Sequence, residues 1–200
     1  MRTVNPIGKE EGNGLNSIAT SVLLKLALAF IFVALCGLLF NYFHQQSLQK
    51  FYSGQYNSAI APTEASIALL RVKLGNNHPL VAKTLNDLAH LYDLNGNFAK
   101  ADDLFRQSNE IYQHAPAQTD SLYGAAMCYY ADHLVKAKNY DEAERRYKEA
   151  LSVTENSLGR ESKETAWILQ RMRNLYVQLN RQDEAKELNQ RAERILSHRT

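Results

Sequence analysis

The sequence predicts an all-α protein in which a single transmembrane helix precedes an α-solenoid of tandem helix-turn-helix repeats. Three observations predict it. A wholly uncharged run extends from Leu26 to Phe40. Ala59, Ala101, Ala143 and Ala185 then stand at a constant interval of 42 residues. Around those alanines, apolar residues recur at i, i+3, i+4 and i+7, which places them on one face of a helix. The chain divides on this basis into a disordered segment at 1–14, a transmembrane helix with a membrane-proximal helical extension at 15–52, and a repeat domain at 53–200.

The first 14 residues are rich in Gly and Asn and carry too little apolar surface to fold alone. Val22 to Phe43 is 22 residues long, close to the ~20 needed to cross a hydrocarbon core of ~30 Å. Lys25, one turn in, can snorkel to the headgroups. Tyr42 and Phe43 suit the opposite interface, where Tyr is favoured. A cleavable signal peptide is the competing reading, but its apolar region spans only ~7–15 residues and ends in small side chains. Here the run ends in the bulky Leu38-Leu39-Phe40-Asn41-Tyr42, and Leu35 is too large to precede a lipoprotein cysteine at Cys36. A retained single-pass anchor is the expectation. Glu10 and Glu11 oppose a mitochondrial presequence. Arg2, Lys9 and Lys25 flank the span on one side and Lys50 alone on the other. Positive-inside then puts the N-terminus in the cytoplasm and the repeats across the membrane. The periplasmic face of a bacterial inner membrane fits that arrangement.

The repeat has further phased positions. Tyr56, Phe98, Tyr140 and Gln182 each precede an alanine of the series by three residues, and Gly54, Gly96, Lys138 and Asn180 lie two residues earlier still. Gly and Asn accept the positive φ at a helix C-terminus. His78, Asp120 and Ser162 share the phase and mark where first helices begin. Asp and Ser cap free backbone N–H groups, and Pro79 fits a first helical position. The phase predicts helices near 79–94, 98–113, 120–137, 140–157, 163–179 and 182–197. Ala89 and Ala131 should face Ala101 and Ala143 at the close crossing of each pair, with Tyr92, Phe98, Phe105, Tyr140 and Tyr147 filling the adjoining core layers. Pro62 should kink or restart its helix. Arg173 stands where the series would place alanine, and Gln182 replaces the aromatic, as suits a terminal unit with a polar outer face.

The stretch Leu74-Gly75-Asn-Asn-His78-Pro79-Leu-Val81-Ala82-Lys-Thr84-Leu85-Asn86-Asp87-Leu88-Ala89, echoed by Leu158-Gly159 84 residues later, resembles the tetratricopeptide repeat (TPR) family, specifically the longer 42-residue repeats of kinesin light chains. The resemblance covers roughly Phe51 to Ile195 and puts the first helix of the first unit at Phe43 to Tyr52, directly continuing the apolar helix. It implies a concave groove lined by the first helix of each pair. Carried over by phase, the groove positions are Lys83, Asn86, Asp87, His90 and Asp93, then Ala125, Cys128, Asp132 and Val135, then Trp167, Gln170, Asn174 and Val177. Trp167 either anchors a partner or packs on the preceding pair. Cys128 and Asp132 stand where a terminal-carboxylate clamp would want Lys or Asn.

Composition excludes several classes. Lys+Arg number 23 against Asp+Glu 21, so no basic excess exists to track nucleic-acid phosphates. Cys36 and Cys128 form no framework. No zincin motif, nucleophile elbow, phosphate loop or metal-spaced Cys/His cluster occurs. No catalysis, cofactor, metal or small-molecule substrate is expected. The expected function is a membrane-anchored adaptor that binds a partner protein or peptide in its groove. The alternative is a structural or assembly subunit packed permanently through the array.

Overall fold

In a computed structural model, residues 10–115 and 120–197 are described. They form eight helices and no strand: α1 (Glu10–Tyr52), α2 (Tyr56–Leu74), α3 (Pro79–Leu94), α4 (Phe98–Gln113), α5 (Asp120–Lys136), α6 (Tyr140–Leu158), α7 (Lys163–Gln178) and α8 (Gln182–Ser197). The disorder expected at 1–14 falls mainly on residues 1–9, which lie outside the described residues; α1 is already helical at Glu10.

Consecutive helices pair antiparallel as α1–α2, α3–α4, α5–α6 and α7–α8. The reason is local. Gly54, Gly96, Lys138 and Asn180 all take positive φ, at 74°, 79°, 59° and 59°. One left-handed residue ends the first helix and lets the next N–H reach back five residues. Gln55 N–H donates to Lys50 O at 2.9 Å, Asn97 to Tyr92 at 2.8 Å, Asn139 to Leu134 at 2.9 Å and Arg181 to Tyr176 at 2.9 Å. These bonds satisfy carbonyls that a helix end would otherwise leave open. Tyr56, Phe98, Tyr140 and Gln182 then each open a second helix, in equivalent places.

The crossings are closed by small residues. Ala59, Ala89, Ala101, Ala131 and Ala143 are fully buried and Ala185 nearly so. Gly124 in α5 serves the same end, since a Cβ there would lie 2.2 Å from Thr154 Oγ1. One continuous core runs from Ile67 to Ala185, and Ala166, Leu169, Ala192 and Ile195 form a small second cluster under the last pair. At the joins, His78 Nδ1 accepts from Leu80 N–H at 3.1 Å and Ser162 Oγ from Thr165 N–H at 3.1 Å.

α2 does not restart at Pro62 but continues through it. The carbonyl that loses its donor is that of Ser58, which is exposed, so water can take its place. Thr63 and Ser66 hydroxyls also return to Ala59 O and Pro62 O at 2.7 and 2.9 Å. Phe98 does not fill a core layer; it is 49% exposed, whereas Tyr92, Phe105 and Tyr147 are buried. As the first residue of α4 it lies at the edge of the pair, with its ring 6.2 Å from that of the buried His133.

Among the described residues, α1 contains the one helix segment long and apolar enough to cross a membrane. Every residue from Ser21 to Leu35 is exposed. From Cys36 onward α1 acquires a covered side. Cys36 is buried, Phe40 packs on the core, and Ser47 and Thr63 hydroxyls bond at 2.6 Å.

Candidate protein-binding groove

The first helices of the four pairs stand side by side and line two adjoining clefts. The first, about 190 Å³, lies between α1, α3 and α5, with His44, Leu48, Phe51, Lys83, Asp87, His90 and Tyr129 in its walls. The second, about 370 Å³, lies between α3, α5 and α7, with Leu94, Asp132, Val135, Lys136, Arg171 and Asn174. His90 borders both.

A row of rings crosses this surface from helix to helix. Phe51 of α1 lies 6.0 Å from His90 of α3, His90 lies 5.1 Å from Tyr129 of α5, and Tyr129 lies 5.4 Å from Trp167 of α7. The Arg171 guanidinium stacks 5.2 Å over the Trp167 ring, a cation–π contact. His90, Tyr129 and Trp167 are all half-buried, so each offers part of its ring outward. Burial lowers the His90 pKa, against the pull of Asp93, and so favours the uncharged ring.

The charged groups of the groove are paired with one another. Lys83 meets Asp87 at 2.7 Å. Asp132 receives a hydrogen bond from the Tyr147 hydroxyl and meets Arg171 at 3.0 Å. Burial pushes its carboxyl up, while Tyr147 and Arg171 pull it down. Lys136 pairs with Asp93, which also accepts from His133 Nδ1 at 2.8 Å. That pairing crosses from α3 to α5 and holds Asp93 below its usual value in spite of its burial. An isolated buried carboxylate would be costly; two donors compensate it.

The sequence-predicted positions are placed differently from one another. Lys83, Asp87, His90, Asp132 and Asn174 line the clefts. Asn86 borders the first cleft but is 5% exposed, and its amide donates to Ala126 O at 3.3 Å, clipping α3 to α5. Trp167 packs on Tyr129 of the preceding pair, and its ring remains half open. Gln170 is half-buried on α7 and borders neither cleft. Asp93 and Cys128 are buried, so neither is a free groove surface; desolvation raises the Cys128 thiol pKa well above its ordinary value.

Sequence reasoning missed the α1 wall, Tyr129 and Arg171. A signal was present. Stepping back 42 residues from Asn86 and His90 gives His44 and Leu48, and Phe51, His90, Tyr129 and Trp167 recur at intervals of 39, 39 and 38.

The tetratricopeptide repeat model matches residues 41–114 and 122–197. The chain therefore belongs to the tetratricopeptide repeat family, and its fold is a protein-interaction scaffold of a kind that is generally non-enzymatic. No curated protein matches it by sequence. Among solved structures it is similar to BtubC (BKLC) from P. vanneervenii, at 20% identity and a TM-score of 0.73, over 95% of this chain and 75% of that one. A kinesin light chain of Podosopora anserina with nearly identical TPR-like repeats aligns at 20% identity and 0.64, over 80% and 77%. Pseudomonas aeruginosa pilF aligns at 16% and 0.61, over 80% and 62%. At these identities the likeness is one of fold.

Proposed function

We propose that this chain is a membrane-anchored adaptor that holds a segment of a partner protein along its groove. The observation that carries the reading is the row Phe51–His90–Tyr129–Trp167, which runs unbroken across all four repeat pairs. Half-open rings in a concave surface are strong anchors for a partner. Because Lys83, Asp132, Lys136 and Arg171 are already paired, the rings and not free charge supply the attraction. A permanent subunit interface would be larger and more apolar than this mixed lining, which favours reversible engagement. The exposed apolar stretch of α1 supports the anchor, and the Arg2, Lys9 and Lys25 flank supports an N-terminus in the cytoplasm with the repeats opposite.

Photocrosslinking from Asn174 in native membranes tests the reading. A discrete partner should be captured by the full-length chain. Tyr129→Ala and Trp167→Ala should each cut that capture at least tenfold while helical content is kept. Undiminished capture in both variants overturns the groove assignment.

A further inference from the structure

α2 runs back along α1 towards the exposed apolar stretch, and no carboxylate among the described residues pairs with the positive charge at its end. The Lys73 amine lies beside Gly37 of α1, 3.5 Å from where a Cβ there would be, an ordinary contact distance. Arg71 and Lys73 occupy the last turn of α2, both exposed, with Val72 between them 62% exposed and Leu80 beyond the turn 42% exposed. No Asp or Glu occurs from Ala65 to Asn86. Several of the array's other cations hold carboxylates, among them Arg106, Arg146, Lys148, Arg171, Arg181 and Arg191.

The covering of α1 turns this into a placement. Ser21 to Leu35 is exposed on every side, and α1 acquires a covered side from Cys36. An apolar helix face that no protein covers belongs in hydrocarbon, so on the anchored reading the bilayer edge falls near the level at which the cover begins. The end of α2 meets α1 at that level, beside Gly37.

We propose that the end of α2, through Arg71 and Lys73, is a foot that binds anionic phospholipid headgroups and seats the repeat array on the bilayer. This rests on the anchored reading above. The foot lies at the bilayer end of the array. The C-terminus of α7, parallel to the C-terminal end of α1, is carried away from it.

The test uses the full-length chain in phosphatidylcholine vesicles with and without phosphatidylglycerol. A fluorescent amino acid replaces Val72, or Val177 as the distal control, and quenching by lipids spin-labelled near the headgroup is read. The expected result is flotation in both vesicle types, at least twofold stronger quenching at Val72 with phosphatidylglycerol present, and none at Val177. The double variant Arg71→Gln, Lys73→Gln should lose that gain and still float. Flotation with Val72 unquenched, or quenching indifferent to lipid charge and to the double variant, overturns the foot and leaves the anchor standing. Failure to float overturns both.

Discussion

The two ends of the array complete the same fold in opposite ways. At the C-terminal end, α8 buries only Ala185, Ala192 and Ile195 and turns a charged face to water, with Asp183, Glu184, Lys186, Glu187 and Arg194 upon it. Its junction with the preceding pair is polar: Glu144 holds Arg181 at 2.6 Å and Lys148 at 2.6 Å, and accepts from the Tyr176 hydroxyl at 2.9 Å. Arg173 takes the place of alanine, half-buried, with its Nε lacking a partner among the described residues. At the N-terminal end, no Asp, Glu, Lys or Arg occurs between Lys25 and Lys50. There α1 covers the inner face of α2 and stays apolar far beyond the point where packing needs it. A stacked array must finish each open face. A charged cap suits water; an apolar one requires another solvent or another protein.

The sharpest way to break this comparison is to remove one cap. A fragment starting at 53 strips Ala59, Ile67 and Leu70 of their cover from α1, whereas one starting at 41 keeps it. The shorter fragment should remain helical but be less stable by about 3–5 kcal/mol, read from urea unfolding followed by circular dichroism. Next, Ala143→Leu inside the array should cost about 3 kcal/mol by overpacking, and Ala185→Leu at the looser end about half as much. Equal losses would erase the distinction between interior and end.

Acid acts on the C-terminal junction. Burial opposes the Glu144 charge, but hydrogen bonds from Arg181, Lys148 and Tyr176 prevail and hold its pKa at about 2, against an ordinary 4.5. Its contribution is thus complete above pH 4.5 and is lost as pH falls towards 2. Stability should drop by about 1–2 kcal/mol over that window, allowing for screening by solvent, and Glu144→Gln should flatten the profile. The smallest effect belongs to the turns. Lys138 carries a side chain at φ 59°, so Lys138→Gly should raise stability by about 0.5–1 kcal/mol, and Asn180→Gly by only a few tenths because Asn tolerates that region. Thermal melts of the two variants compare them directly.

The helix starts were legible because each is set locally. A residue of positive φ at 54, 96, 138 or 180, turn-tolerant in all but Lys138, reverses the chain, and an alanine five residues later admits the returning helix. That α2 does not restart at Pro62 was not legible, because the penalty depends on whether water reaches the Ser58 carbonyl, which is a tertiary fact. The groove was only half legible for a related reason. The 42-residue phase identifies equivalent positions within repeats, but neighbouring helices are staggered. The ring beside His90 is therefore Tyr129, about one turn before its phase equivalent Asp132. Cys128, carried over as groove surface, points instead into the core. His44, Leu48 and Phe51 were overlooked because an apolar run suggests an anchor first and a wall second.

The continuity of α1 has a mechanical consequence. No break separates Ser21 from Tyr52, and a straight helix resists twisting along its length. Any roll or tilt imposed on the apolar half is passed rigidly to His44, Leu48 and Phe51. The ring at one border of the groove then shifts against His90, so the aperture offered to a partner tracks the attitude of the N-terminal half.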